Sequence, residues 1–343
     1  MTHPQRVFTS AAVGSMLLLA ACSSDDFSDA DVEHYRSAWV ANSFLEREIH
    51  IAQQRLAHLC MEHAGFDKHP ELPEEFTDES DLLGYVQPRP SPEEAAIVGL
   101  RDRFPLSFEN EFVAVAELPS EELTPAEMEL YSETLWGVEA ANAIYGPGSI
   151  DVPRNDDGEA LEWPGKVIIE LEDGSLISWH VQGCEGEVID RLYEGDPTEF
   201  KLQQAFATSS PMAEFNIDDR VHDADEAWGA CMAEAGHPGM SKPYDVLAAV
   251  SSHRNTLQMQ AIEQGQRGIS DEDYAEYEQF HLDLAVVDAE CAQETGVDKM
   301  HQEVFWELLA KRLSENEAEV FAYAENAQAI LDRAQELLAE GTW

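Results

Sequence analysis

Five cysteines and twelve histidines are the side chains of this chain with most chemistry to offer, and their spacing narrows it. Cys60-Met-Glu-His63 contains half of a zinc motif, with His58 just before it and His50 two helical turns earlier. Structural zinc sites bring a second clustered pair of ligands, and Cys60 has a better use in a disulfide. Asn155-Asp-Asp-Gly158 has the look of a calcium loop. In that register the first ligand position falls on Pro153 and the bidentate acid on Pro164, so the loop fails. His222 sits among acids in Asp218-Asp-Arg-Val-His222-Asp-Ala-Asp, where a helix start stabilises negative charge. There is no Gly-x-Ser-x-Gly elbow, His-Glu-x-x-His helix or phosphate-binding glycine loop. With 69 acidic residues no carboxylate pair can be chosen for hydrolysis, because the separation that matters is three-dimensional. No catalytic residue, cofactor site or metal ligand is expected, and the chain reads as a non-enzyme.

The cysteines themselves point to disulfides. Besides Cys22 there are four, Cys60, Cys184, Cys231 and Cys291, and an even set in an exported chain forms two bridges with three possible pairings. Cys60-Met-Glu-His-Ala-Gly65 and Cys231-Met-Ala-Glu-Ala-Gly236 repeat one pattern, and Gly296 follows Cys291 at the same distance. In each case helical periodicity runs up to the cysteine and a glycine stops it. Cys184 instead follows a strand and begins a helix. One helix, about 242 to 265, separates Cys231 from Cys291, so an up-down-up order brings those two to the same side. That predicts Cys231–Cys291 and leaves Cys60–Cys184. Trp228, one turn before Cys231, and Trp179, five residues before Cys184, stand where aromatics beside a disulfide are more often core than ligand groove.

The N-terminus carries one arginine, Arg6, then an uncharged run from Val7 to Ala21. The run is shorter than the ~20 residues a bilayer span needs and reads as a signal peptide. Its end, Leu19-Ala20-Ala21-Cys22, resembles the lipobox of bacterial lipoproteins. That resemblance implies cleavage before Cys22, diacylglycerol on its thiol, and anchorage at the extracytoplasmic face of the cell membrane. Two or three acyl chains hold firmly where one would not. The polar residues 23–30 form a tether of about 15 Å, keeping the domain near the bilayer. The Cys-Met-x-x-Ala-Gly repeat resembles uncharacterised surface lipoproteins of actinobacteria, a resemblance that supports the disulfides and carries no activity with it.

These cysteines need helices to hold them. Tyr35, Trp39, Leu45, Ile49, Ala52, Leu56 and Leu59 recur mostly at threes and fours, which predicts a helix from about 31 to 63. Residues 66–92 read as a surface loop. Ser91-Pro-Glu-Glu94 and Thr124-Pro-Ala-Glu127 combine an N-cap, a first-turn proline and a capping-box acid, so each starts a helix, as does Ser270-Asp-Glu-Asp273. Residues 166–181 form the one clear β signal. A three-residue Glu172-Asp-Gly174 loop sets Val167, Ile169 and Leu171 opposite Trp179, Ile177 and Ser175, with Gly174 left-handed. From Cys184 the pattern is helical almost throughout, ending in a long segment from about 298 to 338. Val320, Ala324, Ala327, Leu331, Ala334 and Leu338 form a coiled-coil-like seam there, for a neighbouring helix of the chain or a second copy. The expected fold is mainly α: disulfide-stapled helices with one β-hairpin and a long C-terminal helix. Two halves follow the tether, 31–209 and 210–343.

A formal charge of −49 over 343 residues excludes nucleic acid as a partner, since affinity there comes from neutralising phosphates. It also excludes lying flat on anionic lipid. With 44% hydrophobic residues the chain is a folded domain rather than an acidic tail. The expected function is a membrane-anchored, non-enzymatic surface module for a protein or cell-envelope partner. A small-molecule or cation-binding lipoprotein associated with transport is the alternative, and an envelope enzyme the second. Oligomeric state is open.

Overall fold

The computed structural model describes residues 27–72, 80–83, 86–100, 123–145, 160, 162–171, 174–266 and 268–341. The expected signal peptide, Cys22 and the turn expected at Asn155–Gly158 lie outside the described residues.

Helix α1 (Asp29–His63) is the spine. It starts at Ser28, whose hydroxyl accepts from the Asp31 N–H while the Asp31 carboxylate reaches back to the cap, a reciprocal capping box. At 1.5 Å per residue its 35 residues span about 50 Å, longer than one core. It therefore serves three. Its first turns pack Tyr35 and Trp39 with Phe305, Trp306 and Leu309. Its middle sets Ile49 against Phe200, Tyr323 and Leu331. Its last turns bury Leu56, Cys60 and Met61 with Tyr131, Leu135 and Leu192.

Short helices α2 (Ser80–Leu83) and α3 (Pro92–Val98) follow, then α4 (Pro125–Trp136) and α5 (Val138–Tyr145). The capping boxes expected at Ser91 and Thr124 both form. Strands β1 (Lys166–Glu170) and β2 (Leu176–His180) pair antiparallel with Val167 opposite Trp179 and Ile169 opposite Ile177. Leu171 N–H donates to Ser175 O at 2.8 Å and Gly174 has φ +82°. The expected register therefore holds, because it gathers most of the large apolar groups on one face, leaving Ile168 and Leu176 on the other.

From there the chain is helical: α6 (Gly183–Tyr193), α7 (Thr198–Thr208), α8 (Met212–Phe215), α9 (Asp219–Glu234), α10 (Asp245–Glu263), α11 (Asp271–Thr295), α12 (Val297–Glu315) and α13 (Glu317–Glu340). The C-terminal segment expected as one long run is broken at Asn316, which leaves helical geometry at φ −125°. Beyond the break α13 lies along α1 and α7. Its seam is filled from within the chain: Val320, Ala327, Leu331 and Ala334 are buried, with Tyr323 between them. The buried Asn42 amide of α1 donates to Val320 O at 3.2 Å, tying the two helices where the seam begins.

A fourth core lies apart from α1. There Trp228 and Met232 of α9, Val246 and Val250 of α10, and Leu284 and Ala289 of α11 pack together.

Candidate functional site

The two disulfides are Cys60–Cys184 and Cys231–Cys291, with Cα atoms 5.7 and 5.6 Å apart. The Cys-Met-x-x-Ala-Gly repeat is the same helix ending used twice. Phe66 N–H returns to Met61 O at 3.0 Å and His237 N–H to Met232 O at 2.8 Å, around Gly65 and Gly236 at φ +100° and +98°. This is the six-to-one bond of a Schellman ending, which requires a left-handed residue. The methionine is fully buried in both, which turns its neighbouring cysteine toward the bridge.

Cys184 is placed by the glycines around it in Gly183-Cys-Glu-Gly186. A Cβ on Gly183 would stand 2.5 Å from Leu135 O, and one on Gly186 2.4 Å from the Val181 carbonyl carbon. Only bare backbone lets the start of α6 nest between the end of α4 and the end of β2. That nesting delivers Cys184 to α1 and its neighbour Glu185 to a small polar cluster.

In that cluster the Trp136 Nε1–H donates to Glu185 Oε1 at 3.0 Å, and His180 Nε2 stands 3.8 Å from Glu185 Oε2. The Trp136 and His180 rings stack, 5.9 Å between centroids. Desolvation pushes the Glu185 carboxyl up to about 7, against the opposing pull of the Trp136 bond and Lys166. Its side chain is still 31% exposed, so protons reach it from solvent. Burial, helped by Lys166, lowers His180 to about 3. The imidazole is neutral at ordinary pH, so its approach to Glu185 is not an ion pair. Its Nδ1 is buried without a hydrogen-bond partner among the described residues. Chemically this is a carboxyl able to hold or release a proton near neutrality.

The second disulfide carries a counterpart. Trp228 Nε1–H donates to Asp288 Oδ1 at 3.1 Å. Here the carboxylate is 1% exposed and meets Arg89, itself 2% exposed, at 2.7 Å. Arg89 also binds Asp298 through Nη1 and through its backbone N–H, at 2.9 Å. One guanidinium thus pins the 86–90 segment to α11 and to the start of α12. Its planar fork suits two carboxylates at once.

The histidines near Cys60 and at Asp218–Asp225 lie apart from both clusters. His58 stacks on His69 at 4.5 Å and is lowered to about 4, first by burial and then by that neighbour. His50, His63 and His222 are exposed. Among the described residues no group of three or more His, Cys, Asp or Glu side chains is arranged to hold a metal ion. His281 accepts from the Leu100 N–H at 2.8 Å, beneath Gly99, whose missing Cβ leaves room for the ring. Trp179 and Trp228 are both buried, as core rather than groove. An open groove on the outer face of α10 is lined by Ser251, Asn255, Thr256, Met259 and Glu263 and touches neither cluster.

The sequence reading did not single out Arg89, His180, Glu185 or Asp288. Arg89 had a signal, a scarce cation between two prolines in Gln87-Pro-Arg-Pro90. Glu185 had another, its position between glycines beside a bridging cysteine. Asp288 had none, being one acid among many. Comparison with known protein families, characterised proteins and solved structures finds no match to this chain.

Proposed function

We propose that this chain is a lipid-anchored extracytoplasmic lipoprotein whose acidic helical domain is a non-enzymatic interaction module of the cell envelope. The observation that carries the reading is Leu19-Ala20-Ala21-Cys22 at the end of a short apolar run. Two disulfides closing helix ends support it, since such bonds persist in oxidising compartments. So does the Cys60-to-Gly65 repeat, which serves chain architecture rather than chemistry. In this reading the two halves, 31–209 and 210–343, act as one body, because α12 and α13 of the second pack along α1 of the first.

Metabolic labelling with an alkyne fatty acid tests the anchor. The full chain takes up label and sediments with membranes, whereas Cys22→Ser takes up none and is released. An unlabelled wild-type chain would sink the proposal. Native mass spectrometry of the non-reduced domain then tests the module: a bare polypeptide supports a surface role, and a retained small molecule overturns it in favour of a carrier.

One observation favours an envelope enzyme as the second reading, the partly exposed Glu185, its carboxyl pushed up to about 7. Its test is whether Glu185→Gln abolishes an activity found by screening envelope substrates.

A further inference from the structure

The two disulfides differ in access. Cys60 and Cys184 are 6% and 3% exposed, within a core of Leu56, Tyr131 and Val188. In the second bridge Cys291 is 1% exposed, but Cys231 is only half-buried and packs at the margin of its core. Cys231 is therefore the more open cysteine of that bridge, on its exposed side. The Glu294 carboxylate, itself exposed, lies 3.9 Å from Cys231 Sγ.

We propose that Cys231–Cys291 is a thiol-exchange site, opened at Cys231 Sγ by an external dithiol while Cys60–Cys184 stays closed in the folded protein. Exchange needs a thiolate to reach one sulfur and displace the other. An incoming thiolate bonds to Cys231 Sγ and the Cys231–Cys291 bond breaks. Its electron pair leaves on Cys291 Sγ, which takes up a proton because a buried thiolate is poorly solvated. The dithiol's second thiolate then attacks its own sulfur in the mixed disulfide. A cyclic disulfide departs and Cys231 is released as a thiol, so two electrons pass from the dithiol to the protein.

Opening the bridge leaves its surroundings packed. Trp228 and Met232 are fully buried against Leu284 and Ala289 across α9 and α11, and Arg89 still holds Asp288. The change is local: two thiols appear on a domain that stays folded. Glu294 also makes the site selective. A carboxylate ~4 Å from the attacked sulfur repels an anionic thiol and attracts a cationic one, by about threefold to tenfold in rate at modest salt.

The test uses the full chain, folded and purified without reductant. It is exposed in parallel to cysteamine, 2-mercaptoethanesulfonate and a neutral dithiol, then acid-quenched and peptide-mapped. The expected mixed disulfides form on Cys231. Cysteamine outpaces the sulfonate after both rates are normalised to a small neutral disulfide, and Glu294→Gln narrows that gap. The neutral dithiol opens Cys231–Cys291 at least about tenfold faster than Cys60–Cys184, the ratio expected when one bridge needs no unfolding. Equal opening of both bridges, or adducts on Cys291, would overturn the proposal. A gap unchanged in Glu294→Gln would remove the selectivity from it.

Discussion

At the scale of single residues, Glu185 and Asp288 receive the same indole bond in different surroundings. Asp288 has a guanidinium at 2.7 Å, a charge-assisted bond. Glu185 has a neutral imidazole and an indole, neither of which offsets desolvation, so its carboxyl titrates at about 7 instead of the ordinary 4.5. A raised carboxyl means the folded chain holds a proton that the unfolded chain releases. Its favourable contribution is therefore complete below about 4.5 and lost as pH rises through about 7. Glu185→Gln keeps an acceptor for Trp136 Nε1–H and removes the titration. The variant should gain on the wild type as pH climbs through that window, levelling off on the order of 1–2 kcal/mol ahead once solvent access is allowed for. Urea melts of both proteins between the two limits check this. A difference independent of pH would show that Glu185 is solvated like any surface acid.

At the scale of elements, glycine separates two kinds of constraint. Gly236 ends α9 in a left-handed conformation with nothing within 4 Å of the position a Cβ would take. Gly236→Ala should cost only the backbone strain, about 1 kcal/mol. Gly186 has no such φ, yet a Cβ there would lie 2.4 Å from the Val181 carbonyl carbon, a clash with backbone rather than with a movable side chain. Gly186→Ala must lever α6 away from β2 and disturb Cys184, so a loss of about 3 kcal/mol or more is expected. Thermal melts ranking Gly186→Ala above Gly236→Ala in stability would contradict this account of how α6 is seated. The break at Asn316 belongs here too. Asn316 Nδ2–H bonds back to Arg312 O at 3.2 Å, a local alternative to helix that asparagine offers more readily than alanine or leucine.

At the scale of the whole molecule, 69 acids face 20 basic residues, and several of the described arginines bridge elements. Arg220 of α9 reaches Glu307 of α12 at 2.6 Å, and Arg312 of α12 reaches Glu214 of α8 at 3.1 Å. The rest of the acidic surface repels itself, which weakens the compact state. Salt should relieve that repulsion. Raising sodium chloride from about 0.02 to about 0.5 M shortens the Debye length several-fold. The expected rise in Tm is on the order of 3 °C, at roughly 1.5 °C per kcal/mol for an unfolding entropy of about 2.1 cal/mol/K per residue. A flat or falling Tm in scanning calorimetry would mean that the bridging arginines matter more than the bulk repulsion.

What the sequence determined by itself was whatever depends on neighbours along the chain. Helix starts at Ser91, Thr124 and Ser270 and stops at Gly65, Gly236 and Gly296 are set by capping chemistry within five residues. The hairpin register follows from one loop length and the alternation of Val167, Ile169, Ile177 and Trp179. Even the disulfide partners followed, because helix direction and number decide which ends can meet. Tertiary structure decided the rest, through contacts between residues far apart in the chain. Arg89 meets Asp288 across 199 positions, and Trp136 meets Glu185 across 49. Which of many acids is desolvated, and which disulfide has the less buried cysteine, depends on what each packs against. Burial sets the energy of a charge or the reach of a reagent, and burial is a property of the assembled cores.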